Sequence, residues 1–321
     1  MEYRRLGKYG LKVSELSLGA WLTFGDQIDQ DTARECMLAA YEAGVNYFDN
    51  ADVYAEGQAE IVMGKVIKEL KRSDLVISSK VFWPVGPGPN DHGLSRKHIM
   101  EAVHNSLRRL GTDYLDLYFC HRYDPETPLE EVVRAMDDLV HQGKILYWGT
   151  SEWRGGQIAH ALGLANQWGL YPPAVEQPQY NMFKRDVVET ELMEAAHQHD
   201  IGLVTWSPLS SGVLTGKYNE GIPAGSRLDY HEWLRPHLTP ERIDKVRQLT
   251  EVAQSLAAST TQLALAWLLR LPQVSSVITG ASHVGQVHEN LKAAELRTKL
   301  TPDVLERIEA ILGNDPNAQD R

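Results

Sequence analysis

Eight short apolar runs, each followed by a helical pattern or by a loop and a helix, constrain the fold of this chain more than any other sequence feature. The first run begins at Leu16 and the last ends at Thr279, and each has the length of a buried strand. Regular alternation of strand and helix is typical of a parallel sheet covered by helices. Eight such units predict a single (β/α)8 barrel over residues 1–321, rather than a doubly wound open sheet with a switch point.

The predicted elements follow from local signals. The strands are expected at 16–18, 45–48, 75–79, 114–120, 145–148, 174–176, 201–206 and 275–279. Two further runs flank a Gly-containing turn at 7–10 and predict an N-terminal hairpin, whereas Thr301 and Pro302 start a C-terminal helix. Asp31 is the expected cap of the first helix, and Ser95 and Gly111 bound the helix predicted between them. The segment 208–240 is rich in Gly, Pro and Ser and is expected to hold no clear helix before Thr239.

Charge and cysteine content limit the possible functions. There are 43 acidic and 32 basic residues, a net charge of −11, and this balance argues against nucleic acid as a partner. Cys36 and Cys120 are expected to be small buried side chains in a reducing compartment. Residues 1–8 are charged and no apolar run is long enough to span a bilayer, so we expect a cytoplasmic protein without membrane insertion.

Titratable side chains follow three consecutive predicted strands. Asp49, Lys80 and His121 each stand at a strand end, and Tyr54 follows Asp49 in a polar stretch. Carboxyl ends of barrel strands form the active-site face, so these groups are expected to meet. We expect Lys80, held by Asp49, to lower the pKa of the Tyr54 phenol, and His121 to donate a hydrogen bond to its oxygen.

Proton transfer by these residues requires no metal. A metal site is not indicated either, because His121 and Asp124 alone make a weak ligand pair. Each residue taken singly could instead be structural, as a capped carboxylate, an ion-paired lysine or a half-buried tyrosine. Their occurrence at three successive strand ends favours catalysis.

A second pattern indicates a phosphate site. The strand predicted at 275–279 leads through Gly280, Ala281 and Ser282 into a helix, which presents free backbone N–H groups to an anion. Lys217 and Arg227, on the preceding loop, add positive charge beside it. The pattern suits a long, multiply phosphorylated ligand, although Ser282 could merely cap the helix. No G-x-G-x-x-G motif occurs, so a Rossmann site is not indicated.

Aromatic residues are predicted at the same rim. Trp206 closes the seventh strand and could stack on a flat cofactor ring or simply pack there. Trp21 and Trp83 lie on rim loops and, with Tyr54, suit an apolar pocket for a carbonyl compound.

Five motifs together carry a resemblance to a known family. They are F-D-N-A-D-V-Y at 48–54, G-L-S-R-K-H-I at 93–99, G-T-S-E-W at 149–153, T-W-S-P-L at 205–209 and G-A-S at 280–282. The chain resembles the aldo-keto reductases over nearly its whole length. Within them it is most similar to the branch of voltage-gated potassium-channel beta subunits and their bacterial relatives.

The resemblance implies a barrel that binds NADP(H) in extended form and a catalytic tetrad of Asp49, Tyr54, Lys80 and His121. The implied cofactor-binding residues are, from the nicotinamide to the adenosine end, Gly19, Trp21, Asp49, Ser151, Gln177, Trp206, Ser207, Leu209, Lys217, Arg227, Gly280, Ser282, Gln286, Glu289 and Asn290. Arg227 is the candidate for the 2′-phosphate. The resemblance also suggests a homotetramer or larger homo-oligomer.

Two functional hypotheses remain open at this point. The first is an NADPH-dependent reductase of small aldehydes, with ketones as a second class, in which Tyr54 is the general acid. The second is an NADP(H)-binding subunit that reports redox state to a partner such as a potassium channel. That branch typically has Asn where this chain has His121, which favours the reductase. A metal-dependent hydrolase is disfavoured, because the strands lack a His-x-His motif.

Overall fold

The eight predicted strands close into a parallel barrel in the computed structural model, which describes residues 1–318. Residues 319–321, the end of the single domain predicted over 1–321, lie outside the described residues. The barrel strands are β3 (Leu16–Gly19), β4 (Tyr47–Asp49), β5 (Val76–Val81), β6 (Leu115–Cys120), β7 (Ile145–Ser151), β8 (Val175–Gln177), β9 (Gly202–Thr205) and β10 (Val274–Thr279). Closure is made by β10, which pairs with β9 on one side and β3 on the other.

The (β/α)8 barrel prediction is therefore confirmed, as is the N-terminal hairpin of β1 (Tyr3–Arg5) and β2 (Lys12–Ser14). Leu6 and Val13 of the hairpin belong to the same buried cluster as interior barrel residues such as Leu117 and Val204. The hairpin thus covers the amino-terminal end of the barrel, and the carboxyl ends of the strands remain available for a site.

The helices surround the barrel. They are α1 (Gln30–Glu42), α2 (Gln58–Ile67), α3 (Arg96–Leu110), α4 (Leu129–His141), α5 (Gly155–Trp168), α6 (Met193–His199), α7 (Arg227–Tyr230), α8 (Pro240–Ser255), α9 (Thr260–Leu269), α10 (Val284–Leu291), α11 (Ala293–Leu296) and α12 (Pro302–Leu312). Their apolar faces pack on the strands and form the larger buried cluster. None of the helices within residues 1–318 combines the length and apolar character needed to cross a membrane.

Local signals predicted some boundaries and missed others. Ser95 caps α3 by accepting from the His98 N–H, and Gly111 ends it with a φ of 67°, as expected. The cap of α1 is Asp29 rather than Asp31, because the Asp29 side chain accepts from the Thr32 N–H at 2.7 Å. Segment 208–239 contains α7 and two 3₁₀ segments, Ser210–Thr215 and Glu232–His237, so the expectation of no helix there is wrong.

Candidate active site

Three adjacent strands bring the predicted ionisable residues together. Strands β4, β5 and β6 are neighbours in the parallel barrel, so their carboxyl ends lie at one rim. Asp49 ends β4, Lys80 is the penultimate residue of β5, and His121 directly follows β6. The parallel topology thus converts three distant sequence positions into one cluster.

Lys80 is the centre of this cluster. Its side chain is fully buried, and its Nζ donates to Asp49 Oδ2 at 2.6 Å, to the Asn50 carbonyl at 2.7 Å and to the Tyr54 hydroxyl at 3.3 Å. An ammonium group has three donors, and all three are used. Burial lowers the pKa of Lys80, whereas Asp49 acts to raise it. The contacts fix the ammonium against the phenol oxygen.

The second carboxylate oxygen of Asp49, Oδ1, also accepts hydrogen bonds from buried side chains. It accepts from Ser78 Oγ at 2.7 Å, from Gln177 Nε2 at 3.0 Å and from the Tyr47 hydroxyl at 3.3 Å. With Lys80 on Oδ2, the buried carboxylate has a donor on each oxygen, as a buried charge requires.

Tyr54 lies in the segment that follows β4 at the barrel rim. The next two residues, Ala55 and Glu56, have φ values of 48° and 54°, an uncommon left-handed conformation for side chains of this type. Burial and the Asp49 carboxylate raise the pKa of the Tyr54 phenol well above its usual value, although Arg122 acts to lower it. The predicted net lowering of this pKa by Lys80 is therefore wrong, and the phenol is protonated at neutral pH.

His121 faces Tyr54 edge to face, with the ring centroids 5.9 Å apart. No hydrogen bond joins the two side chains in the described structure, contrary to the sequence prediction, and His121 Nδ1 is buried without a partner. Burial, Lys80 and Arg122 lower the pKa of His121 well below its usual value. The imidazole is accordingly neutral, and one ring N–H can donate to a bound oxygen.

A cavity of about 290 Å³, here called the tetrad cavity, opens onto these residues. Its lining includes six of the predicted site residues: Trp21, Tyr54, His121, Ser151, Gln177 and Trp206. Asp49 and Lys80 do not line the cavity but lie behind Tyr54, at most 3 % exposed.

Trp206 is oriented by a residue that sequence reasoning missed. Its indole N–H donates to Glu152 Oε1 at 3.0 Å, and the Gln179 N–H donates to the same oxygen at 2.5 Å. Glu152 has a φ of 59°, so the chain adopts a left-handed turn directly after Ser151. Its place in the motif G-T-S-E-W was the only available signal.

A second cavity of about 560 Å³, the lid cavity, lies under segment 208–239. Eight predicted cofactor residues line it: Leu209, Lys217, Arg227, Gly280, Ser282, Gln286, Glu289 and Asn290. Neither Lys217 nor Arg227 has an ion-pair partner within residues 1–318. Arg227 instead lies 6.0 Å from the ring centre of Trp21, which lines the tetrad cavity.

The α10 end of the lid cavity suits an anion. The N-cap of α10 is His283, whose side chain makes no capping bond, so Ser282 is not the helix cap. The Ser282 N–H and hydroxyl instead contact Gln286 Oε1 at 2.8 and 3.2 Å. Besides Asp49 and Lys80, the predicted residues Gly19 and Ser207 line neither cavity. A Cβ at Gly19 would lie 2.6 Å from Ile278 Cγ2, so any larger residue would clash with the neighbouring strand. Strand packing therefore explains why glycine stands at this position.

Comparison with known proteins agrees with this geometry. The model of the Aldo/keto reductase family matches residues 15–313. A "Probable voltage-gated potassium channel subunit beta" of Arabidopsis thaliana is 52 % identical over 98 % of both chains, and its Oryza sativa counterpart is 49 % identical over the same shares. A "Putative voltage-gated potassium channel subunit beta" of Schizosaccharomyces pombe is 47 % identical over 98 % of this chain and 94 % of its own. The chain therefore belongs to the aldo/keto reductase family, whose members are oxidoreductases.

Proposed function

We propose that this protein is an NADPH-dependent reductase of small aldehydes, with ketones as a second substrate class. The observation that supports the proposal best is the Tyr54 phenol, which lines a cavity and is hydrogen-bonded from behind by the buried ammonium of Lys80 at 3.3 Å. A protonated phenol beside a fixed cation can give a proton to a developing alkoxide.

The side chains have separate roles in this mechanism. A nicotinamide bound against Trp206, Ser151 and Gln177 would supply the hydride for the carbonyl carbon. Tyr54 donates its proton to the carbonyl oxygen, and the Lys80 ammonium stabilises the phenolate that forms. The phenolate then recovers a proton from solvent.

Two further groups prepare this step. Asp49 keeps Lys80 charged and in place through the 2.6 Å contact. Neutral His121 donates a hydrogen bond that orients the carbonyl oxygen beside Tyr54, and its neutrality avoids repulsion from Lys80.

The lid cavity supports NADP(H) as the cofactor. Two cations that have no acidic partner among the described residues, Lys217 and Arg227, line this cavity with a helix N-terminus, which suits a ligand with several phosphates. We assign the 2′-phosphate to Arg227, because a guanidinium matches phosphate geometry. The proposal includes a cytoplasmic location, which rests on the composition of the sequence, and a homo-oligomer of four or more subunits, which rests on family resemblance.

The second candidate function is an NADP(H)-binding subunit that reports redox state to a partner such as a potassium channel. It is favoured by the relatives at 47–52 % identity, which are named as channel beta subunits. The same two cavities would serve it, but rapid turnover would not be needed.

Turnover separates the two candidates. Purified protein is mixed with excess NADPH and a panel of short neutral aldehydes, and the absorbance of the reduced cofactor is followed. The reductase proposal predicts oxidation of many equivalents of NADPH per subunit. Consumption of a single equivalent, with tight NADPH binding, would instead support the redox-reporting subunit.

A further inference from the structure

Arg122 is a cation in the tetrad cavity that the proton-transfer residues do not use. It follows His121 directly and lines the same cavity as Tyr54. The guanidinium carbon lies 5.5 Å from the ring centre of Trp83, another lining residue, so the aromatic ring supports the guanidinium at the cavity wall. Its position beside the phenol makes it available to a bound substrate.

The guanidinium of Arg122 has no acidic partner in the part of the chain that the structure describes. Arg122 Nη1 donates to the carbonyl oxygen of His121, and within residues 1–318 no carboxylate pairs with it. Arg185, by contrast, is paired with both Glu189 and Glu309. Because a guanidinium carries five N–H donors, most of the donors of Arg122 are free to bind an anion.

Asp26, the other charged side chain at this cavity, does not pair with Arg122. Its side chain is about half exposed and lies 3.9 Å from His231 Nε2. No ion pair joins Asp26 to Arg122 in the described structure. Arg122 is therefore a positive charge at the cavity wall that no carboxylate of the described residues pairs with.

The proposed cofactor does not account for this cation. Lys217 and Arg227 line the lid cavity, where the phosphates are assigned, whereas Arg122 lines the tetrad cavity. The tetrad cavity measures about 290 Å³, just below the range of about 300–1,000 Å³ usual for ligand pockets. With a nicotinamide in place, only a short substrate fits beside Arg122.

We propose that Arg122 makes the site selective for short aldehydes that carry a carboxylate or a phosphate group, an inference that rests on the proposed function. The carbonyl oxygen binds at Tyr54 and His121, and the anionic group accepts paired hydrogen bonds from the guanidinium. The anionic group is unchanged in the reaction. The carbonyl carbon takes the hydride, and its oxygen takes the proton of Tyr54.

The test compares kcat/KM for aldehydes matched in size. Succinic semialdehyde is paired with butanal, and glycolaldehyde phosphate with glycolaldehyde, so that carboxylate and phosphate preferences are separated. Wild-type enzyme should prefer at least one anion over its neutral match. Arg122→Gln should reduce that preference about tenfold to hundredfold, mainly through KM, because a hydrogen-bonded charge is lost. Arg122→Lys should retain part of it.

Arg134→Gln is the matched control. Arg134 is also stacked on an indole, that of Trp168 at 4.2 Å, but it lies on the outer helix α4. Removing its charge should leave the ratio of anionic to neutral activity unchanged. An unchanged ratio in Arg122→Gln, with neutral aldehydes still reduced, overturns the inference and leaves the proposed function standing.

A binding measurement covers the case without turnover. Quenching of tryptophan fluorescence by succinate and by inorganic phosphate is titrated in the NADPH-loaded wild type and in Arg122→Gln. Anion binding that depends on Arg122, without reduction of any aldehyde, would support the anion subsite and overturn the reductase proposal. Absence of both turnover and Arg122-dependent binding would overturn the two together.

Discussion

Replacing Lys80 by Met removes the buried cation while keeping a long unbranched side chain. Asp49 Oδ1 would retain its bonds from Ser78 and Gln177, but Oδ2 would lose its 2.6 Å partner and the carboxylate charge would be unpaired. Removing one member of a buried ion pair costs about 3–5 kcal/mol. We expect the free energy of unfolding to fall by about that amount.

The same change should slow catalysis. Lys80 is the donor fixed against the Tyr54 oxygen, and loss of one preorganised donor at a developing charge typically costs about 10²–10³-fold in kcat. Urea unfolding and steady-state NADPH oxidation measure the two effects separately.

A double variant separates stability from catalysis. Adding Asp49→Asn to Lys80→Met removes the unpaired charge, and the Asn oxygen can still accept from Ser78 and Gln177. Most of the lost stability should return, whereas activity should remain low because no cation contacts Tyr54. A Lys80→Met protein as stable and as active as the wild type would refute this account of the buried pair.

Two other substitutions test the lid cavity and the barrel interior. Arg227→Gln should weaken NADPH binding about tenfold to hundredfold and affect NADH less, because only NADPH carries the 2′-phosphate; equal losses in fluorescence titrations with both cofactors would contradict the assignment. Burial raises the pKa of Glu176 from 4.5 to about 8. This carboxyl group should therefore destabilise the fold increasingly between those pH values, by about 1.4 kcal/mol per pH unit. Glu176→Gln should gain stability over the wild type as the pH rises through this window; parallel urea midpoints of the two proteins would contradict that shift.

Much of the fold could be read from the sequence because its signals are local and repeated. Eight apolar runs of strand length predicted the barrel, and the position of Asp49, Lys80 and His121 at strand ends predicted their meeting. Asp29 was missed as the cap of α1 because two nearby aspartates carry the same signal, and only the backbone shows which one reaches Thr32.

The electrostatics of the site could not be read in the same way. The direction of the Tyr54 pKa shift depends on how much water is excluded and on the position of the Asp49 charge, and neither is encoded in spacing. Arg122 was missed because an arginine beside a strand end is common, and only the structure shows that no acidic side chain within residues 1–318 pairs with it. Glu152 was missed because its bond to Trp206 joins two distant segments.

The proton donor itself is tested most directly by Tyr54→Phe, which removes one oxygen atom from the cavity wall. The rate of NADPH oxidation with a saturating neutral aldehyde is measured beside the Kd for NADPH. We predict that the rate falls by about 10²–10⁴-fold and that the Kd for NADPH stays close to that of the wild type. Wild-type turnover in this variant would show that the proton comes from another group, and the mechanism described here would be wrong.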